Sequence, residues 1–312
     1  MNRWYLGSIA MLFGAASYGV SGPFAKLAFL DGLSVGELVM SVFFVSSFIF
    51  SVILLFIPRR FEGLTKKGVL QLAGIGGSGL GATVSFYYFA ISQLPVSVAI
   101  VLLFQFAWMV PLLNIIFTRK WPNIYVVLPL VLVFAGTILA VELKWGFWRE
   151  GTILGYVAGL ISALCYAIYL HFNGVIATNV PALTRSTIMT VGGLIVVLIV
   201  HPPYFLFNGR LFELGMWPIY SGVFNQILPT LLMAIGIPII GGGVSAILGA
   251  IELPVSLLSS NFILNEPISM VKWLGIALIL IGISLASTLG GRKVRKVRTE
   301  SKPRRVKVGN EF

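Results

Sequence analysis

The stretch "GGGVSAILGAIELPVSLLSSNFIL", Gly241 to Leu264, decides the fold. As a helix it is long and apolar enough to cross a bilayer core of roughly 30 Å. Yet Glu252 stands near its middle, two residues before Pro254, and no other acidic residue lies so deep in an apolar run. At helical spacing Ser245, Gly249, Glu252, Ser256 and Ser259 share one face, while Ile247, Leu248, Ile251, Val255 and Leu258 lie mostly elsewhere. A carboxylate turned toward hydrocarbon is costly, so this polar stripe must face protein or water.

The rest of the chain has the same character. Of 312 residues 58% are hydrophobic and only 10% charged, and the mean hydropathy of +0.97 exceeds what a soluble core needs. Apolar runs of about 18 residues or more recur along it, which makes this an all-α, polytopic membrane protein. A membrane barrel would show short alternating segments instead. The net charge of +12 does not point to nucleic acid, because nine of the 22 basic residues follow Gly291 and most others flank apolar runs. That placement suits a basic tail held near anionic lipid. The single cysteine, Cys165, rules out an internal disulfide. His171 and His201 lie far apart without neighbouring carboxylates or thiols, so no metal site is expected. No P-loop is present to power a pump with nucleotide, and no cofactor is implied. An enzyme acting on lipid-linked substrates would need clustered acids or histidines at a membrane face, and none is found. Arg3 and the apolar run after it read as an uncleaved first span.

Spans are predicted near 6–29, 35–57, 69–92, 95–117 and 124–141, then 152–173, 184–200, 214–236, 240–264 and 270–289. Tight links at "SQLP" (Pro95) and "GIP" (Pro238) make their neighbours antiparallel hairpins. The organisation is therefore a first five-helix repeat over 1–141, an inter-repeat loop over 142–151, a second repeat over 152–289, and a basic, disordered tail over 290–312. A shift of 148 brings Ala10, Ala15 and Tyr18 onto Ala158, Ala163 and Tyr166. A shift of 147 brings Ala99-Ile100 onto Ala246-Ile247 and Gln105 onto Glu252. Shifts of 145 to 146 bring Pro122 onto Pro267 and Gly136 onto Gly282. Five helices is an odd number, so the two repeats must be inverted in the membrane. With both termini cytoplasmic, the inner loops hold Arg3, Arg59, Arg60, Lys66, Lys67, Arg119, Lys120, Arg185 and the tail. The outer side keeps only Lys26, Lys144, Arg149, Arg210 and Lys272, as the positive-inside rule requires. Inverted repeats with a mid-membrane site between them are the architecture of secondary transporters.

Candidate residues follow from that site. Tyr18 in helix 1 and Tyr166 in helix 6 occupy the same place in two stripes of small and aromatic residues. These stripes serve either close packing, as in Gly155-xxx-Gly159, or a cavity wall. Helix 3 contributes Tyr88 beyond its glycines, and helix 4 contributes Gln105 with Trp108 one turn later. Helix 8 contributes Asn225 beside Gln226, at least one of which should bond a neighbouring helix. Ser256 follows Glu252 by one turn. Prolines 23, 111, 229 and 254 mark bends that could free backbone carbonyls. Glu252 itself has three readings: a structural acid, a counter-charge for a cationic or amine-bearing substrate, or a proton carrier. Lys26 at the far end of helix 1 is expected to snorkel to the interface rather than to pair with Glu252.

The segments "FGAASYGVSGPFAKLAF" (13–29) and "AIELPVSLLSSNFILNEPISMVKWLGIALILIGISLAS" (250–287) resemble the EamA-type drug/metabolite transporter superfamily. Glu252, Pro254, Glu266, Gly275 and Gly282 match its pattern, and Arg119-Lys120 depart from it where many members carry a glutamate. The resemblance implies transport of small metabolites such as amino acids or other polar compounds, often outward, across the cell (inner) membrane. It also implies a central cavity between the repeats. The function expected is a secondary transporter, an exporter working by alternating access on a small-molecule substrate, coupled to protons or to the substrate's own gradient. An importer of the same class, or a receptor or scaffold working through its tail, are the alternatives. Nothing in the sequence sets an oligomeric state.

Overall fold

The computed structural model describes residues 3–58, 60–119, 121, 124–142, 151–202 and 215–300. They form ten helices and, among the described residues, no strand. The first five are α1 (Arg3–Leu30), α2 (Val35–Leu55), α3 (Lys66–Gln93), α4 (Val96–Leu103 and Phe106–Thr118) and α5 (Ile124–Val141). The second five are α6 (Ile153–Asn173), α7 (Ala182–Val200), α8 (Trp217–Ile240), α9 (Gly242–Gly249 and Glu252–Leu264) and α10 (Met270–Glu300). By length and composition α2 to α10 can each cross a membrane. The 28-residue α1 is long enough too. Its apolarity is diluted because the face it buries includes Gly7, Ser8, Gly14, Ser17, Gly19 and Ser21.

Caps start several helices where the sequence supplies them. Ser34 and Glu37 form a reciprocal capping box on α2. Thr65 and Thr152 accept from the backbone N–H groups of Gly68 and Gly155 at the starts of α3 and α6.

The two repeats share their irregularities, which is stronger evidence of duplication than shared apolar residues. A π-helical segment interrupts α3 at Gly77–Ala82 and α8 at Val223–Ile227, 146 and 145 positions apart. Both α4 and α9 break at midspan. The 3₁₀-like bonds Gln105 N–H to Leu102 O and Ala107 N–H to Phe104 O recur 146 positions on, as Ile251 to Leu248 and Leu253 to Ala250. Each broken helix also ends on a left-handed residue, Arg119 and Asn265, again 146 apart. This register corrects one correspondence read from the sequence: Gln105 is matched by Ile251, and Glu252 is matched by Phe106.

Packing exchanges partners between the repeats. α1 lies on α8 and on the second half of α9, and α6 correspondingly lies on α3 and α4. α2 with α7 and α5 with α10 make the self-paired contacts. Within lipid, helices associate through close approach of small residues rather than through the hydrophobic effect. A Cβ on Gly76 of α3 would overlap the backbone carbonyl of Met189 on α7, and one on Gly192 would overlap that of Ala73. Gly74, by contrast, faces open space. Gly76→Ala is therefore expected to destabilise the detergent-solubilised protein by about 1–3 kcal/mol through overpacking. Gly74→Ala should cost nothing or stabilise slightly, since alanine is the better helix former. Equal unfolding midpoints for the two variants would contradict this α3–α7 contact.

Three boundaries differ from expectation. Pro238 lies inside α8, and the turn into α9 is made at Gly241, whose φ of 82° and ψ of 151° suit only glycine. α10 continues as helix through 290–300, because "GRKVRKVRTE" contains no proline and is rich in helix formers; 301–312 lie outside the described residues. Arg185, counted above among the inner loop charges, belongs to the first turn of α7 and is buried.

Candidate functional site

Glu252 opens the second half of α9, directly after the break. Pro254 has no N–H to give to the Ala250 carbonyl, which instead accepts from the Leu253 N–H in the 3₁₀-like step at the break. Before the break, Ser245 to Ala250 are all buried; after it, Val255 to Asn261 are half-buried. Glu252 sits at that transition, half-buried itself.

The polar stripe of α9 faces α1. Gly249 lies 3.5 Å from Met11 as measured from the Cβ position it lacks. A Cβ on Gly19 would overlap the carbonyl oxygen of Glu252 and stand 3.0 Å from the Ser256 amide nitrogen. Gly22 faces Ser256 Oγ, and Ser259 Oγ donates to the Gly19 carbonyl at 3.3 Å. Gly19 thus lets two backbones meet where the carboxylate begins. Further along, Lys26 pairs with Glu266, so it neither pairs with Glu252 nor simply snorkels.

Three tyrosines from three helices lie close enough to Glu252 to feel its charge: Tyr18 on α1, Tyr87 on α3 and Tyr166 on α6. Tyr88 stands against Tyr87, with ring centroids 5.9 Å apart. Phe106, the residue matching Glu252 in the first repeat, meets Tyr166 edge to face at 4.8 Å. Tyr166 stacks on Tyr169 at 5.9 Å, and its hydroxyl reaches Met233 Sδ at 3.9 Å. Among the described residues no base and no hydrogen-bond donor is paired with the Glu252 carboxylate. The result is one acid without a partner and three tyrosines within its electrostatic reach, groups suited to a ligand that is both apolar and positively charged.

Glu252, Tyr18, Tyr166 and Ser256 are therefore brought together, with Tyr88 behind Tyr87. Gln105 and Trp108 are occupied with each other. The Trp108 indole donates to Gln105 Oε1 at 2.8 Å, and Gln105 Nε2 donates to the Val101 carbonyl at 2.9 Å, a carbonyl orphaned by the break in α4. Asn225 lies half-buried in the π segment of α8. Its neighbour Gln226 makes the interhelical bond that one of the two amides needed, to Thr190 on α7 at 3.2 Å. The π segment of α8, and the residue that follows the π segment of α3, each present a carbonyl to a serine of the opposite repeat. Ser17 of α1 donates to Phe224 at 2.7 Å, and Ser162 of α6 to Thr83 at 2.9 Å. Sequence reading passed over Gly19 and Phe106. The i, i+3 glycines of "GVSGP" were a usable sign of the first; nothing in the sequence pointed to the second.

The model of the EamA-like transporter family matches this sequence twice, over residues 5–141 and 153–288. The chain belongs to that family. The two matches fall on the two five-helix repeats, so the EamA-like unit is one repeat and this protein is a tandem pair. A relative from Bacillus subtilis (strain 168), the uncharacterized transporter YetK, is 23% identical over 252 residues, covering 77% of this chain and 74% of its own. A crystal structure superposes with a TM-score of 0.70 at 16% identity, covering 94% of this chain and 99% of the other. At that identity it speaks for the fold alone. Fold and family together make this EamA-like protein a multi-pass membrane transporter.

Proposed function

We propose that this protein is a secondary exporter of small polar or amphipathic metabolites carrying an amine or other cationic group. Glu252 receives that group, and Tyr18, Tyr87 and Tyr166 pack around it. The observation that carries the reading is the Glu252 carboxylate without a resident base, held half-buried at midspan with three tyrosines within its electrostatic reach. A structural acid would be expected to have a bonded partner, because an unpaired charge away from water is costly.

The graded burial of α9 supports one-sided access. The bundle is packed solid from Ser245 to Ala250 and looser beyond Glu252. Five crossings per repeat place the repeats in opposite orientations, so the partner-exchanged contacts of α1 and α6 can swap roles, which is alternating access. The charge bias of the loops supports cytoplasmic termini in a cell-membrane protein, with the looser side outside. The experiment is a metabolite panel in proteoliposomes, assayed for uptake and efflux with and without a pH gradient. Counterflow limited to amine-bearing compounds is expected. Transport restricted to neutral or anionic compounds would refute the role given to Glu252.

A further inference from the structure

Arg185 is the largest fully buried side chain among the described residues, 1% exposed in the first turn of α7. Among the described residues no carboxylate accompanies it. Nη1 donates to the Ala234 carbonyl of α8 at 2.9 Å, and Nη2 donates to both the carbonyl and Oδ1 of Asn173, the last residue of α6. All three acceptors are neutral, so the guanidinium keeps its full charge. Around it, shut off from solvent, Arg185 Nε has no acceptor, and the Tyr169 hydroxyl and Asn173 Nδ2 have at most each other. Tyr169 and Asn173 are both wholly buried, and Tyr169 lies within electrostatic reach of Arg185. Buried charges in proteins are paired or liganded, and buried donors left over call for a partner.

We infer that Arg185, Asn173 and Tyr169 form an anion-binding station distinct from the Glu252 site. One positive charge, a guanidinium N–H without an acceptor and the adjoining Tyr169–Asn173 pair suit a small singly charged anion, a carboxylate or a halide; a doubly charged phosphate would leave net negative charge in the bundle. The station lies on a continuous path from Glu252. Tyr166 lies within electrostatic reach of Glu252, Tyr169 stacks on Tyr166 one turn along α6, and Asn173 follows one turn later beside Arg185. It is reached from the far end of the bundle, when the first turn of α7 leaves the α2–α3 connection, to which Thr184 Oγ1 now donates at the Arg60 carbonyl, 2.6 Å. The anion is either the acidic group of the transported molecule, which rests on the reading of Glu252 given above, or a free inorganic ion, which does not.

Thermal unfolding of the full-length protein in detergent tests this at constant ionic strength, with chloride, acetate or gluconate as the sodium salt. Chloride or acetate, at roughly ten times its dissociation constant, is expected to raise the midpoint by about 2–4 °C over gluconate. Tyr169→Phe, which keeps the ring and the guanidinium, should reduce that rise, and Arg185→Gln should remove it. A response to acetate alone assigns the station to a carboxylate of the substrate, and a response to chloride as well assigns it to free anions. Glu252→Gln should leave the response intact, so the station and the Glu252 reading fail separately. No discrimination among the anions in the unmodified protein, or an undiminished rise in Tyr169→Phe, overturns the assignment.

Discussion

In proteoliposomes Glu252→Gln is expected to fold and insert, to lose substrate flux by about tenfold or more, and to lose any acceleration by a pH gradient. The magnitude follows from removing one partner of a desolvated charge pair, which typically costs about 2–5 kcal/mol of binding. The fold survives because glutamine has the shape of glutamate. The main-chain contact of residue 252 with Gly19 does not involve the side chain, and among the described residues no base is left unpaired by the change. The two roles separate cleanly. Flux that falls while the remaining transport still follows the pH gradient makes Glu252 a counter-charge alone. If the gradient effect is lost while affinity is kept, it is a proton carrier alone. Unchanged flux, affinity and pH response would remove it from the site.

A second large effect is expected at Gly19. Its missing side chain admits the backbone of α9 at the point where Glu252 begins, so Gly19→Ala must push the two helices apart. Overpacking of this kind costs about 1–3 kcal/mol in stability. The greater loss should be in transport, because Glu252 moves relative to Tyr18 on the same helix as the new methyl group. Misplacement on the order of 1 Å is enough to cost roughly a hundredfold where geometry decides rate. Gly22→Ala provides the comparison, since its Cβ would stand at an ordinary 3.4 Å from Ser256 Oγ. Matching transport rates in the two variants would show that the α1–α9 contact does not position the acid.

Much of this architecture was legible in the sequence, because spans and loop charges are written in residue type. The placement of Glu252 on a face shared with Ser256 and Ser259 followed from spacing alone, and that face does meet α1. What escaped was written in backbone geometry. The repeat offset through α4 and α9 is 146, visible in hydrogen bonds, whereas matching side chains favoured 147 and joined Gln105 to Glu252. The π segments could not be foreseen, since "GSGLGA" and "VFNQI" share no composition. Pro238 looked like a turn but is accommodated inside α8, and the true turn needed only one of three consecutive glycines. Arg185 read as a loop charge because it stands at the very start of a span; its burial depends on carbonyls from two other helices that no local pattern reveals.

The shared midspan break has one more consequence. A protein made of two identical inverted halves would have two end states of equal energy, related by a twofold rotation, and would rest on neither side. Here the frame is duplicated but its centre is not: Glu252 stands on one side of the pseudo-twofold and Phe106 on the other. Turning the bundle inside out exchanges the environments of an acid and a phenyl ring, and these have unequal hydration energies. Under the alternating-access reading that pair breaks the degeneracy at the centre of the bundle, and the empty protein is expected to rest on one side.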